Sequence, residues 1–288
     1  MATTVRDRLA GASQSECAGK EIANQGAKPD KDMTEKILPF LPMVRRLEAA
    51  GFRAWPARHV AYDGSWQIRL TPGHPSKRLN CVVPLDPGDS RDIETRIEKC
   101  AAMFEASGRP LDFRQSPLCP PQLASHFSSN GWTCLDETVV MAADLDSVNY
   151  GDGMDHLPTH DVNRFAEACL KIDTDRDTSL PVLVDILSSV KPATGLFLIE
   201  DAASGPVAVT LCVADNDLAG ISQVVVAEGK RRQGIGREIV ASALRWAKLR
   251  GARKAWLQVR AGNRNAIALY ESMGFGESYR QNYWRRPR

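Results

Sequence analysis

A chain of 288 residues with 37 basic and 35 acidic side chains, net charge +2, has no global excess with which to hold a polyanion, so nucleic acid is not an expected partner. Its apolar residues, 43% of the total, form no run approaching the roughly 20 needed to span a membrane, and the length suits about two domains of ordinary size. Seven dispersed cysteines (Cys17, Cys81, Cys100, Cys119, Cys134, Cys169, Cys212), with no Cys-x-x-Cys spacing and no signal peptide, point to reduced thiols and a cytoplasmic enzyme.

In chain order, residues 1–33 carry almost no large apolar side chains and are expected to be a disordered leader, with Met33 a candidate start. Asp7, Glu16 and Glu21 argue against a transit peptide. The periodicity then predicts a helix over 42–51 ending at Gly51, strands at 66–70 and 79–84, and a helix at 91–107. A strand at 111–115, a helix at 121–130 and a strand at 136–143 follow. The segment Asp146–Pro158, with its glycines, aspartates and proline, reads as a linker, which divides the chain into units 35–145 and 159–288. His59, His74, His126, His156 and His160 form no metal-ligand spacing; His156 and His160 read as a polar loop before a helix, and no metal is expected.

The second unit holds the most informative stretch, Val224-Val-Val-Ala-Glu-Gly-Lys-Arg-Arg-Gln-Gly-Ile-Gly236, running into a helical pattern over Arg237–Leu249. An apolar strand, a basic loop with Lys230, Arg231 and Arg232, two glycines and a helix start together suit a pyrophosphate. Glycine lets the backbone come close, and the first-turn amides point at the anion. A nicotinamide-dinucleotide fingerprint would want a third glycine where Ile239 stands, and an acidic residue placed for a ribose, which is not evident. Downstream, Asn263-Arg-Asn-Ala-Ile-Ala-Leu-Tyr270 leads to Glu271-Ser-Met-Gly-Phe275 and the aromatic end Tyr279-Arg-Gln-Asn-Tyr-Trp284.

Together, Arg231-x-x-Gly234-x-Gly236 and Asn263…Ala266…Leu269-Tyr270…Gly274-Phe275 resemble motifs A and B of the GCN5-related N-acetyltransferase superfamily, over roughly residues 155–286. The resemblance implies an α/β fold in which a mixed, mostly antiparallel sheet is flanked by helices. It implies direct transfer of an acetyl group from acetyl-CoA, as cosubstrate, to the primary amine of a small molecule through a ternary complex. It further implies that the Val224–Val225–Val226 strand splays from its neighbour, the backbones of Val224 and Val226 pairing with the pantetheine arm. Arg231 and the amides of Arg232, Gln233, Gly234, Ile235, Gly236 and Arg237 would hold the pyrophosphate. Asn263 would hold the pantetheine region and Tyr270 would protonate the departing thiolate. Relatives that acetylate the amino termini of ribosomal proteins carry a proton-accepting glutamate where this chain has Gln258, and an amide is no base. The position of the glutamate in histone-type members falls on Gly220. Asp215, Asp217, Tyr279 or a residue of the first unit stay open as proton acceptors, directly or through water. A protein or peptide amine acetyltransferase, and a non-catalytic acyl-CoA sensor, are the alternatives; monomer and homodimer are both open.

The first unit reads as a degenerate copy of the second. At an offset of 143 residues Cys81-Val-Val83 falls on Val224-Val-Val226, Phe113 on Trp256, Gln115 on Gln258, and Phe127…Trp132 on Tyr270…Phe275. Opposite the phosphate loop stands Gly88-Asp-Ser-Arg-Asp-Ile93, whose Asp89, Ser90 and Asp92 are expected to cap their own helix and repel a phosphate. Pro120 replaces Asn263 and Phe127 replaces Tyr270. With Ala54-Trp-Pro-Ala57, Arg78-Leu-Asn80 and Phe113-Arg114, the whole chain resembles tandem two-unit acetyltransferases with an inactive amino-terminal unit. Such a unit would bind no CoA and would help to wall the acceptor site.

Overall fold

The computed structural model describes residues 40–174 and 178–287; the expected leader, residues 1–33, lies outside them. In the first half the elements run α1 (Leu41–Ala54), β1 (His59–Asp63), β2 (Trp66–Leu70), β3 (Cys81–Pro84), α2 (Ile93–Ala106), β4 (Asp112–Gln115), α3 (Pro121–Ser129) and β5 (Thr133–Asp144). In the second they run α4 (Val162–Ile172), α5 (Leu180–Ser188), β6 (Ala193–Asp201), β7 (Gly205–Asp215), β8 (Leu218–Val226), α6 (Ile235–Leu249), β9 (Lys254–Arg260), α7 (Arg264–Ser272) and β10 (Gly276–Arg285). None of the helices is long and apolar enough to cross a membrane, among the described residues.

The 143-residue offset holds in the structure along the helices. Shifted by 143, Pro121–Ser129 coincides with Arg264–Ser272 and α2 falls on α6; β4 is one residue out of that offset on β9, since Phe113 packs under α2 and α3 whereas Trp256 faces α1 and α4. The fold is two tandem α/β units, each a mixed, mostly antiparallel sheet flanked by helices, joined into one ten-stranded sheet ordered β1-β2-β3-β4-β10-β5-β9-β8-β7-β6. That order is its own mirror under the duplication, and it contains an exchange. β5, the last strand of the first unit, pairs with β9 from Thr138↔Arg260 to Asp144↔Lys254. β10, the last strand of the second, pairs with β4 from Asn282↔Gln115 to Arg285↔Asp112. The two exchanged strands pair with each other at the centre.

The core follows the sheet's two faces. Val139, Met141, Leu257 and Val259 join α6 and α7 on one face, and Val140, Trp256 and Tyr279 join α1, α4 and α5 on the other, as strand alternation requires. A third cluster fills the first unit with Trp66, Phe104, Phe113, Phe127 and Trp132.

Local departures from the sequence reading have physical causes. The first helix runs on through Gly51 to Ala54, because Gly51 packs against Trp256: a Cβ there would lie 3.4 Å from the indole. β1 went unread, being a half-exposed strand without a clear alternating apolar face. Asp92 is the N-cap residue of α2 but takes the left-handed conformation (φ 47°) and makes no side-chain cap; Asp89 instead accepts from the Ser65 amide (2.9 Å) and hydroxyl (2.8 Å) and pairs with Arg96. The 146–158 segment lies along α6, with Arg245 on Asp155, His156 Nε2 on Glu238 Oε1 (2.5 Å) and Arg237 on the Asn149 carbonyl (3.0 Å).

Candidate functional site

The site begins where two parallel strands part. β8 and β9 pair from Leu218↔Lys254 to Ile221↔Leu257 and no further. At the next positions Gln223 takes φ 55°, and a bulge interrupts the β7–β8 register between Val209 and Leu211. The extra residue bends β8 away from β9 while Val225 and Val226 remain paired with β7. Val224 and Val226 pack towards α6 and α7, and Val225 faces the opposite core.

Beyond Val226 the chain turns through a 3₁₀ turn at Glu228–Lys230 into α6. Arg232 (φ 64°) and Gly234 (φ 82°) are both left-handed, a conformation natural to glycine, and they fold the loop back on the helix N-terminus. The Gly234 carbonyl accepts from the amides of Arg237 (3.0 Å) and Glu238 (3.1 Å). The amides from Arg232 to Gly236 donate to no group among the described residues. The Arg231 guanidinium braces the loop on the Val226 carbonyl (3.1 Å), and Arg237 holds the end of α7 through the Ser272 carbonyl (2.9 Å). Five open amides at a helix start beside exposed arginines fit a pyrophosphate-bearing cosubstrate such as acetyl-CoA.

On the same face, Asn263 caps α7, its Oδ1 accepting from the Ala266 amide (3.2 Å). Tyr270 is 6% exposed, with its ring 5.9 Å from that of Phe275. Burial pushes its phenol up to about 12, so it is protonated at neutral pH and can give a proton.

The opposite face of the splay opens into a cleft of about 450 Å³, built by both units. Gln223, Gln258, Arg260 and Gln281 come from the second unit; Trp55, the 74–78 loop, Asp136 and Thr138 come from the first. The loop is held down by Asn80, whose Oδ1 accepts from the Thr71 amide (2.8 Å) and whose Nδ2 donates to the carbonyls of His74 (2.8 Å) and Ser76 (3.1 Å). At the 143-residue offset Asn80 is the counterpart of Gln223. Polar atoms in the cleft lack hydrogen-bond partners among the described residues: Trp55 Nε1, Gln258 Oε1 and both amide atoms of Gln281, a side chain 1% exposed. Such atoms are costly unless something binds them. A second cavity, of about 490 Å³, lies under α1 and β1–β2, away from the splay, and its buried Gln67 and Arg69 are already bonded to Tyr62, the Trp55 carbonyl and each other.

The open choices of proton acceptor narrow. Asp217 takes both oxygens to Arg46 (2.6 and 2.8 Å) and Asp215 bonds Arg53 (2.5 Å), at the β7–β8 turn. The Tyr279 hydroxyl donates to buried Glu48 (2.6 Å), and burial, reinforced by that carboxylate, raises its phenol far above the usual range. None of the three lines the cleft. Gly220 leaves no room for a glutamate: even a Cβ would stand 2.6 Å from the Trp256 ring. The carboxylates that do line the cleft are Asp136 and Asp173, neither of them singled out by the sequence. Burial opposes the Asp136 charge, but Lys77 (2.5 Å), Arg260 and Arg285 hold its carboxyl below the usual range.

The first unit lacks this machinery. β3 and β4 meet at the single pair Val82↔Phe113, and Phe113 is wedged among Trp66 (5.3 Å between centroids), Phe127 (5.1 Å) and Trp132 (5.6 Å). Gln115, matched to Gln258 by the offset but on the opposite face of the sheet, accepts from the Trp284 indole, and Arg114 on the cleft-side face pairs with Glu48. Aromatic rings fill the volume that the second unit leaves open.

A family model described as "Probable histone acetyltransferase Rv0428c C-terminal" matches residues 42–284. The uncharacterized N-acetyltransferase YobR of Bacillus subtilis (strain 168) is 25% identical over 252 residues, covering 83% of this chain and 97% of that protein. The [ribosomal protein bS18]-alanine N-acetyltransferase of Escherichia coli (strain K12) is 38% identical over 88 residues, 30% of this chain and 58% of the relative. Among solved structures, a GCN5-related N-acetyltransferase from Kribbella flavida is similar in fold, with a TM-score of 0.66 at 20% identity over 85% of this chain and 95% of that one.

Proposed function

The chain belongs to the family of the Rv0428c C-terminal region, within the GCN5-related N-acetyltransferases, and we propose that it transfers the acetyl group of acetyl-CoA directly to the primary amine of a small molecule. The observation that carries this reading is the splay between β8 and β9, with five open amides and a protonated tyrosine on one face and a polar cleft on the other. In this reading the pyrophosphate lies on the amides of Arg232 to Gly236, and the pantetheine arm runs along Val224 and Val226 past Asn263. The amine enters from the cleft and attacks the thioester carbonyl. The tetrahedral oxyanion collapses, the C–S bond breaks, and Tyr270 protonates the thiolate. Holding both reactants in one channel supplies much of the rate. Gln258 orients the amine by its Oε1 but takes no proton. Proton loss runs through water to Asp173, since Asp136 is already paired with Lys77. The first unit binds no CoA and serves as wall and strand donor.

A protein amine as acceptor is the second reading, favoured by the name of the Escherichia coli relative. The walled cleft supports the small molecule instead. A thiol-release screen of amino acids, simple amines, aminoglycosides and peptides with acetyl-CoA separates the two, and Tyr270→Phe tests the chemistry. That variant should turn over roughly a hundredfold more slowly with little change in acetyl-CoA affinity. The deficit should shrink as pH rises towards the thiol's own pKa of about 8.5. Parental turnover by Tyr270→Phe across about pH 6–9 would sink the assignment, and acetyl-CoA binding without release by any acceptor would make the protein a sensor.

A further inference from the structure

The charges of the cleft are unequal in a way that selects among amines. Asp136 is neutralised by Lys77 at 2.5 Å. Arg260, at the end of β9, is exposed, and its guanidinium makes no ion pair or hydrogen bond among the described residues, although its charge helps to hold the Asp136 carboxyl down. Its side chain shares a face with Gln258 two residues earlier, while Val259 between them belongs to the core under α6. Arg260 therefore points away from the phosphate loop and into the acceptor side. Two residues of strand separate it from Gln258 by about 6.6 Å, and the guanidinium can fold back along that distance. An amine at Gln258 thus has an open cation within the span of an amino acid. The neutral groups lining the same cleft include Trp55 Nε1, a donor, and Gln281, which offers a donor and an acceptor from full burial. A polycation would meet this positive charge and find Asp136 already taken by Lys77, with Asp173 the other carboxylate lining the cleft.

We propose that the acceptor is an amine that also carries a carboxylate, an amino acid or a short peptide-like amino acid, with its carboxylate on Arg260 and its polar groups on Trp55 and Gln281. Guanidinium and carboxylate match as a two-pronged pair, which lysine reproduces only as a point charge. The proposal rests on the acetyltransferase reading, since that reading puts the reacting amine beside Gln258.

The test uses matched pairs, amino acids and the amines left by their decarboxylation, with spermidine and a lysine-rich peptide as polycations. Thiol release with acetyl-CoA should favour the carboxylated member of a pair by at least about tenfold in kcat/KM. Arg260→Gln should raise KM for the amino acid roughly 10- to 100-fold while leaving its kcat, and the KM for acetyl-CoA, unchanged; Arg260→Lys should recover part of the loss. Equal preference within pairs, better turnover of the polycations, or an Arg260→Gln effect that is the same for both members overturns the proposal. Calorimetric titration of the same pairs into the CoA-loaded full chain separates it from the transferase reading. Arg260-dependent binding of amino acids without thiol release keeps the carboxylate site and removes the transferase. Release with decarboxylated amines, independent of Arg260, does the reverse.

Discussion

Replacing Glu48 by alanine tests how the two units are joined beneath the cleft. Glu48, on α1, is 1% exposed and receives the Arg114 guanidinium from β4 and the Tyr279 hydroxyl (2.6 Å) from β10, the strand lent by the second unit. Arg114 and Tyr279 are each 4% exposed. Burial works against the Arg114 charge, and Glu48, with Tyr283, Cys81 and Tyr279 adding to it, offsets that, so the guanidinium stays ionised with this carboxylate as its main support. Removing one partner of a buried ion pair costs about 3–5 kcal/mol, and a stranded buried hydroxyl costs about 1–3 more on its own. The two losses share one carboxylate and do not add fully, so about 4 kcal/mol is expected. Against a total stability of about 5–15 kcal/mol this leaves a marginal protein, with Tm lowered by roughly 8–12 °C. Urea unfolding followed by circular dichroism measures it. The second arm is Glu48→Ala with Arg114→Met, which removes the uncompensated charge and should recover at least half of the loss. A loss under about 1 kcal/mol for Glu48→Ala, or a double variant no better than the single one, refutes the reasoning, because the network would then be solvated or dispensable.

Gly234→Asp puts a carboxylate beside the open amides at a left-handed position, and acetyl-CoA affinity by calorimetry should fall at least about a hundredfold while the fold is retained. Acid should weaken the first unit through Asp89. Burial opposes its charge, but the Ser65 amide and hydroxyl and Arg96 outweigh that and hold it to about 2, against an ordinary 3.8. The folded state therefore binds this proton less readily than the unfolded state, giving stability of about 1–2 kcal/mol that is present above about pH 4 and lost as pH falls towards 2. Asp89→Asn should flatten that part of an acid unfolding profile. A fragment of residues 159–288 lacks β5, the strand between β9 and β10, and should associate or unfold without cooperativity. A soluble, cooperatively unfolding monomeric fragment in sedimentation and thermal scans would contradict this.

The glycine loop before α6 was legible because its signal is local. Strand, basic loop, Gly234, Gly236 and helix lie within a few turns of chain, and the geometry depends on left-handed backbone that glycine adopts freely. The duplication was legible for a related reason: an offset of 143 sets α2 on α6 and α3 on α7 even where the chemistry has been lost. The resemblance at Asn263 and Tyr270 marked α7, and the tertiary structure then surrounded Tyr270 with the apolar neighbours that push its phenol up to about 12. What no local pattern carried was the partnership of distant segments. The exchange of β5 and β10 depends on which sheet edge each strand meets, and a strand's alternation encodes its face but not its neighbour. The fates of Asp215, Asp217 and Tyr279 were set by Arg46, Arg53 and Glu48, more than 150 positions away in the chain. The cleft itself, with Asp136 and Arg260 on neighbouring strands from different units, exists only because the exchange sets those strands side by side.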